Sequence, residues 1–129
     1  MNSGTPGRLR FGSRSRIKTG RDFSRVKAQG RRLVLGSLIA NWAELPAGSI
    51  SRLGVVTSKK IGGAVVRNRV RRALRENFRQ HQYELSGPVD LVLIGRPSIH
   101  EKDFDGIRKD FLTIMIKAGL LRKTETTKI

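Results

Sequence analysis

The amino-acid sequence predicts an α+β domain, a two-layer α/β sandwich in which helices pack on a sheet. Three observations support this prediction. Apolar residues recur at helical spacing over residues 65–79 and 103–118, residues 33–57 are rich in strand-forming side chains, and residues 89–94 form a nearly continuous apolar run. In chain order the predicted elements are helix, strands, helix, strand and helix.

The first predicted helix runs from Gly20 to Gln29. Thr19 is a good N-cap, and Asp22 three residues later completes a capping-box pattern. Gly30 suits the left-handed position that often follows the end of a helix. Its apolar face is thin, so we expect this helix to bury little surface.

Residues 33–42 predict one strand with a possible break at Gly36-Ser37, and residues 52–57 predict a second. Pro46, Ala47 and Gly48 predict a turn between them. We therefore expect these two strands to form a hairpin. Residues 58–63, with two lysines and two glycines, predict a loop.

The second predicted helix, at about Val65–Arg79, is the clearest element. At about 100° per residue its apolar side chains fall on one side; they are Val66, Val70, Ala73, Leu74 and Phe78. Arginines occupy the other side, with Arg67 at the boundary; they are Arg69, Arg71, Arg72, Arg75 and Arg79. Spacing divides the six arginines into a row of Arg67, Arg71 and Arg75 and a row of Arg69, Arg72 and Arg79. We hypothesise that the two rows contact two different RNA elements.

The third part of the chain predicts a strand at Val89–Ile94, buried on both faces, and a closing helix at Asp103–Ala118 that ends at Gly119. The domain organisation we expect is a flexible basic tail over residues 1–13, one α/β domain over residues 14–121 and a flexible tail over residues 122–129.

The charge of the chain is concentrated in two segments. The sequence has 27 Lys and Arg against 10 Asp and Glu, a net charge of +17, and the whole excess lies in residues 1–32 and 52–79. Clustered cations predict a shaped surface for a polyanion, with strongly salt-dependent binding. The sequence has no cysteine and no apolar run near the roughly 20 residues that a membrane span needs. We expect a cytoplasmic RNA-binding protein with no membrane partner and no DNA partner.

Candidate catalytic groups are few. His81 and His100 stand alone in the sequence, which is more typical of surface or capping histidines. One acidic cluster lies near the start of the last helix; its members are Glu101, Asp103, Asp105 and Asp110. Such carboxylates either bind a metal ion for phosphodiester chemistry or complement the helix dipole, and the dipole is the simpler explanation.

Two further residues have two interpretations each. Asn68, among the arginines, either hydrogen-bonds a base edge or fills a polar position. Phe23, flanked by Arg21, Arg25 and Lys27, either stacks on an RNA base or belongs to the core. The residues alone do not separate the two alternatives for Asn68, and for Phe23 they slightly favour the core.

The segment Ser51–Arg79, SRLGVVTSKKIGGAVVRNRVRRALRENFR, closely resembles the protein subunit of bacterial ribonuclease P. The motif is a strand ending in Ser-Lys-Lys, a glycine, and Ala-Val-x-Arg-Asn-Arg opening an arginine helix. It is carried here by Ser58, Lys59, Lys60, Gly62, Ala64, Val65, Arg67, Asn68 and Arg69. Segments near Phe23, at 90–96 and at 104–121 are also similar to that family, so the resemblance covers roughly residues 14–121.

This resemblance implies a fold similar to that of the ribosomal-protein S5 domain 2, with a left-handed β-α-β crossover. It implies an endoribonuclease holoenzyme, a ribonucleoprotein that removes the 5′ leader of precursor tRNA. The RNA subunit would be the catalyst, with Mg²⁺ acting through it, so no catalytic residue and no cofactor is expected in this chain. The expected partners are the ribonuclease P RNA and the precursor tRNA leader.

Site residues follow from the same resemblance. The candidate RNA contacts are Lys59, Lys60, Arg67, Asn68, Arg69, Arg71, Arg72 and Arg75. The candidate leader-cleft residues are Phe23, Arg25, Lys27 and Asn41. Lys27 and Asn41 stand where family members often carry aromatic residues, which implies a cleft with less stacking and more charge.

Two alternatives from other classes stay open on the sequence. A structural ribosomal protein has the same size and charge, and it would co-purify with ribosomes. A self-sufficient metal nuclease would use the acidic cluster, and it would cleave RNA without an RNA subunit.

Overall fold

The computed structural model describes residues 16–122, and it contains three α-helices and four strands in the predicted order. The helices are α1 (Gly20–Gln29), α2 (Ala64–His81) and α3 (Phe104–Lys117). The strands are β1 (Arg31–Leu35), β2 (Leu38–Glu44), β3 (Arg52–Val56) and β4 (Val89–Gly95). Short 3₁₀ turns follow α2 and precede α3. The predicted tail of residues 1–13 and residues 123–129 of the other tail lie outside the described residues.

The strand order across the sheet is β1-β2-β4-β3. β2 pairs antiparallel with both β1 and β4, whereas β3 pairs parallel with β4. The hairpin predicted between residues 33–42 and 52–57 is therefore wrong. The real hairpin is β1–β2, which turns at Gly36 with φ 62°. β4 lies between β2 and β3 because its nearly continuous apolar sequence is best buried in the centre of the sheet.

The two faces of the sheet are covered differently. α2 and α3 pack on one face and form the main core with inward side chains such as Trp42, Leu53 and Leu91. α1 lies on the opposite face, where Val26 packs with Ala43 and Val92 in a second, smaller cluster. Because α1 is short, it covers only part of this face.

The ends of α1 show one confirmed prediction and one correction. Thr19 accepts a hydrogen bond from the amide of Asp22 at 3.1 Å, as the capping pattern predicts. Gly30, however, is extended (φ −99°, ψ −167°) and not left-handed. A Cβ at Gly30 would lie 2.1 Å from the carbonyl oxygen of Trp42, so glycine is needed there for close approach to β2.

The residues at the two ends of α3 start and stop the helix. Asp103 is its N-cap and accepts a hydrogen bond from the amide of Gly106 at 2.8 Å. Gly119 adopts φ 78° just beyond its end, which confirms the predicted stop. Beyond it, Leu121 is buried and pairs with Leu85, so the core extends to this residue.

Candidate nucleic-acid interface

Helix α2 separates its apolar and basic sides as the sequence predicts. Val70, Ala73, Leu74 and Phe78 are buried against the sheet and α3. Val66 is half-buried at the edge of the same core. The apolar side therefore fixes the rotation of α2, and that rotation points most of its arginines away from the core.

Four α2 arginines and one residue from outside the helix line a single depression of about 410 Å³. Its lining residues are Arg16, Asn68, Arg71, Arg72, Arg75, Glu76 and Arg79. Arg16 reaches α2 because its own segment pairs with Leu53 of β3. No sequence pattern indicates that Arg16 lies beside α2, since only the folded chain brings the two together.

The charges in this depression are unevenly compensated. Glu76 bonds to Arg79 and to Gln80, and these hydrogen bonds hold the pKa of Glu76 below its usual value. Partial burial lowers the pKa of Arg75, and the nearby guanidinium groups of Arg16 and Arg71 lower it further. A polyanion placed over the depression would relieve this repulsion between like charges.

Arg71 is held in place by its neighbours. It donates hydrogen bonds to the Thr57 hydroxyl and to the side-chain oxygen of Asn68. Asn68 therefore has a structural role, because its side-chain oxygen orients the guanidinium of Arg71, which lines the depression. Its predicted contact with a base edge stays a prediction.

Arg67 and Arg69 lie apart from the depression. Arg69 donates to the carbonyl oxygens of Lys102 at 2.8 Å and His100 at 3.1 Å, on the α3 side of the helix. Arg67 is half-buried, and its Nε has no partner among the described residues. The depression takes side chains from both rows predicted from spacing, since long side chains of neighbouring rows converge on it. That the two rows contact two different RNA elements stays a prediction.

Lys59 and Lys60 are exposed in the turn that precedes α2. The amides of Ile61 and Gly62 donate back to Ser58 and Lys59, and buried Ile61 anchors the turn in the core. Neither lysine lines the depression, so the two extend the basic surface along the chain.

The predicted cleft residues lie on the sheet face that α1 partly covers. Phe23 is half-buried beside the small cluster, and its ring lies directly over Gly54, where a Cβ would come within 2.8 Å of ring carbons. Asn41 shares this face with Ala43 but is only 4% exposed. Lys27 is exposed on α1, whereas Arg25 is half-buried in an ion pair. Phe23 thus has the packing of a core residue and a partly open ring.

A buried carboxylate joins α1 to the sheet. Asp90 is fully buried and accepts two hydrogen bonds from Arg52, at 2.9 and 2.8 Å, and another from Arg25. Arg52 also reaches Asp22 of α1 at 3.3 Å. Burial disfavours the charged form of Asp90, but the two arginines outweigh it and lower the pKa of the carboxyl. Sequence reasoning missed Asp90, although one acid inside an apolar run was a usable signal.

The acidic cluster near α3 is divided by the fold. Asp103 caps the helix, and Asp110 accepts hydrogen bonds from the amide and hydroxyl of Ser37. His81 Nδ1 lies 2.9 Å from the carbonyl oxygen of Asn77. Among residues 16–122 no group of histidine, aspartate and glutamate is placed to hold a metal ion. Within the same residues, no helix has the length and apolar character that a membrane crossing requires.

We expect acid to destabilise the protein through Asp90 and Asp110. Burial opposes ionisation of Asp110, but hydrogen bonds from Ser37 and the charge of Lys102 lower its pKa. A carboxyl whose folded pKa lies below the unfolded value of about 3.9 stabilises the fold above that pH. This stabilisation is lost as pH falls through the lowered pKa. Urea denaturation at a series of pH values from about 6 to about 2 should show this loss of stability, and Asp110→Asn should make the decline shallower. An unchanged decline would contradict the role of Asp110.

The chain has relatives among known proteins. A protein-family model described as Ribonuclease P matches residues 11–119. The ribonuclease P protein component of Syntrophomonas wolfei is 39% identical over 110 residues, which cover 85% of this chain and 92% of that protein. The corresponding protein of Geobacillus sp. WCH70 is 31% identical over 108 residues, covering 84% and 93%.

Solved structures show the same similarity. The ribonuclease P protein of Staphylococcus aureus superposes with a TM-score of 0.79 at 28% identity, covering 84% of this chain and 98% of that one. The protein of Thermotoga maritima superposes with a TM-score of 0.71 at 28% identity, covering 81% and 97%.

Proposed function

The chain belongs to the family of ribonuclease P protein components, which act in tRNA processing, and we propose that it binds both the catalytic RNA of that holoenzyme and the 5′ leader of precursor tRNA. In this proposal the RNA subunit, with Mg²⁺, cleaves the phosphodiester bond. The protein holds the RNA subunit and substrate together.

The observation that carries this proposal is the arginine depression on α2. Five guanidinium groups surround one carboxylate there, and that carboxylate is already bonded to Arg79. Arginine binds phosphate in bidentate fashion and stacks on bases, so such a depression suits a folded RNA. We assign the catalytic RNA to this surface.

The α1 side of the sheet supports the second half of the proposal. A partly open aromatic ring at Phe23 and an exposed cation at Lys27 are the groups that hold single-stranded RNA by stacking and charge. Arg25 is bonded to Asp90, so its main contribution here is to position α1. We assign the leader to this face.

Reconstitution tests the proposal. The full chain, a bacterial ribonuclease P RNA and a precursor tRNA are combined at low Mg²⁺, and 5′ cleavage is followed on a gel. We expect the protein to accelerate cleavage at the mature 5′ end, because its cations replace part of the Mg²⁺ needed to screen RNA against RNA. Polylysine at equal charge is the control for nonspecific screening.

Two results would contradict the proposal. Absence of stimulation beyond that of polylysine would contradict the proposed binding of the catalytic RNA and the leader, and co-purification with ribosomes would then favour a structural role on the ribosome. Cleavage by protein and Mg²⁺ without the RNA subunit would favour the metal nuclease.

A further inference from the structure

A groove of about 620 Å³ separates α2 from α3, on the side of α2 that carries Arg69. Its floor is apolar and is formed by Val65, Ala73, Phe104 and Ile107. Two of these side chains are open to solvent: Val65 is 82% exposed and Phe104 is 44% exposed. Large exposed apolar side chains that face one groove are typical of a binding surface.

The rim of the groove is polar, and hydrogen bonds hold two of its groups. Arg69 is held by the carbonyl oxygens of His100 and Lys102, so its guanidinium forms a rigid wall. Arg72 is exposed on the same rim. Glu76 is held by Arg79 and Gln80, which leaves an oriented carboxylate facing the groove.

The groove is continuous with the arginine depression, because Asn68, Arg72 and Glu76 line both. A ligand that lies on the depression therefore reaches the groove across Arg72, the cation among the three shared residues. This continuity, together with the two rim arginines, favours a polyanion with an apolar moiety over an apolar protein segment.

We propose that the groove receives one unpaired nucleotide of the RNA that lies on the arginine depression. Its base packs on Phe104 and Val65, and its phosphate faces Arg72. The carboxylate of Glu76 accepts a hydrogen bond from an exocyclic amine of the base. Proteins recognise RNA bases chiefly where these are unpaired and can stack on aromatic side chains, whereas a paired base cannot enter a groove of this kind. This inference rests on the proposed function, since it assigns a subsite of the same surface.

The test compares two RNA duplexes that differ by one unpaired adenosine in the middle of one strand. Dissociation constants with the full chain are measured by fluorescence anisotropy at one salt concentration. We expect the intact protein to prefer the duplex with the unpaired adenosine. Phe104→Ala should weaken binding of that duplex roughly 10-fold, as expected for loss of one stacking contact, and should leave the paired duplex unchanged.

Tyr83→Ala is the matched control, because Tyr83 is an aromatic residue that is 64% exposed and does not line the groove. It should change neither dissociation constant. Phe104→Leu provides a second variant that keeps the apolar packing at the start of α3. It should lose most of the preference for the unpaired adenosine, because leucine has no aromatic face.

Two results would overturn the inference. One is an intact protein that binds both duplexes equally, and the other is a Phe104→Ala variant that loses affinity for both alike. If either occurs while the protein still stimulates 5′ processing, the groove assignment is wrong and the proposed function stands. Loss of stimulation as well would remove the proposed function itself.

Discussion

Replacing Asp90 with alanine is expected to lower the free energy of unfolding by about 3 kcal/mol. Asp90 is fully buried and is bonded to both Arg25 and Arg52, so its removal leaves the half-buried Arg25 without this counter-charge and leaves Arg52 with only the weaker contact to Asp22. About 30% of each arginine side chain is exposed, which places the cost at the low end of the range for a broken buried pair. Urea denaturation followed by circular dichroism measures the change.

Glu84→Ala is the control for loss of one negative charge, because Glu84 is exposed and its side chain has no ion pair among the described residues. It should change the free energy of unfolding by less than about 0.5 kcal/mol. If Asp90→Ala were equally mild, the carboxylate would not be what fastens α1 to the sheet. The position of Phe23 over Gly54 would then depend on the small apolar cluster alone.

Local patterns predicted most of the secondary structure because each depends on neighbours in the sequence. Thr19 and Asp22 start α1, and the apolar stripe through Val70 and Leu74 sets the face that α2 buries. Strand pairing depends on distant residues, and there the prediction failed. Nothing near residues 52–56 indicates that their partner is β4, more than 30 residues later, and not the strand just before them.

The candidate site divides in the same way. The helical wheel placed the α2 arginines on one side. It could not show that Arg69 donates hydrogen bonds to backbone oxygens near α3. Nor could it show that Arg16, from the N-terminal segment, lines the same depression as the α2 arginines. Arg25 was predicted as a leader contact from the family resemblance. Its ion pair with Asp90 depends on a contact across 65 residues, which no local pattern reports.

Replacing Arg71, Arg72 and Arg75 together with alanine is expected to weaken binding of a ribonuclease P RNA on the order of 100-fold at 0.1 M salt. Each lost phosphate contact removes about one unit from the slope of log K against log salt, so the slope should become shallower by about 2 to 3. The fold should be retained, because all three side chains lie outside the core and alanine favours helix. Removing the repulsion around Arg75 offsets the lost bond between Arg71 and Thr57.

The control variant removes the same charge from another helix, with alanine in place of Arg108, Lys109 and Lys117 on the exposed side of α3. Both triple variants lower the net charge of the chain from +17 to +14, so long-range attraction to RNA falls about equally in the two. Any excess loss in the α2 variant therefore measures direct contact at the depression. Equal losses of affinity would mean that RNA binding depends on the total charge only. The arginine depression would then not be the RNA-binding site. A large fall in melting temperature of the α2 variant would mean that these arginines support the fold.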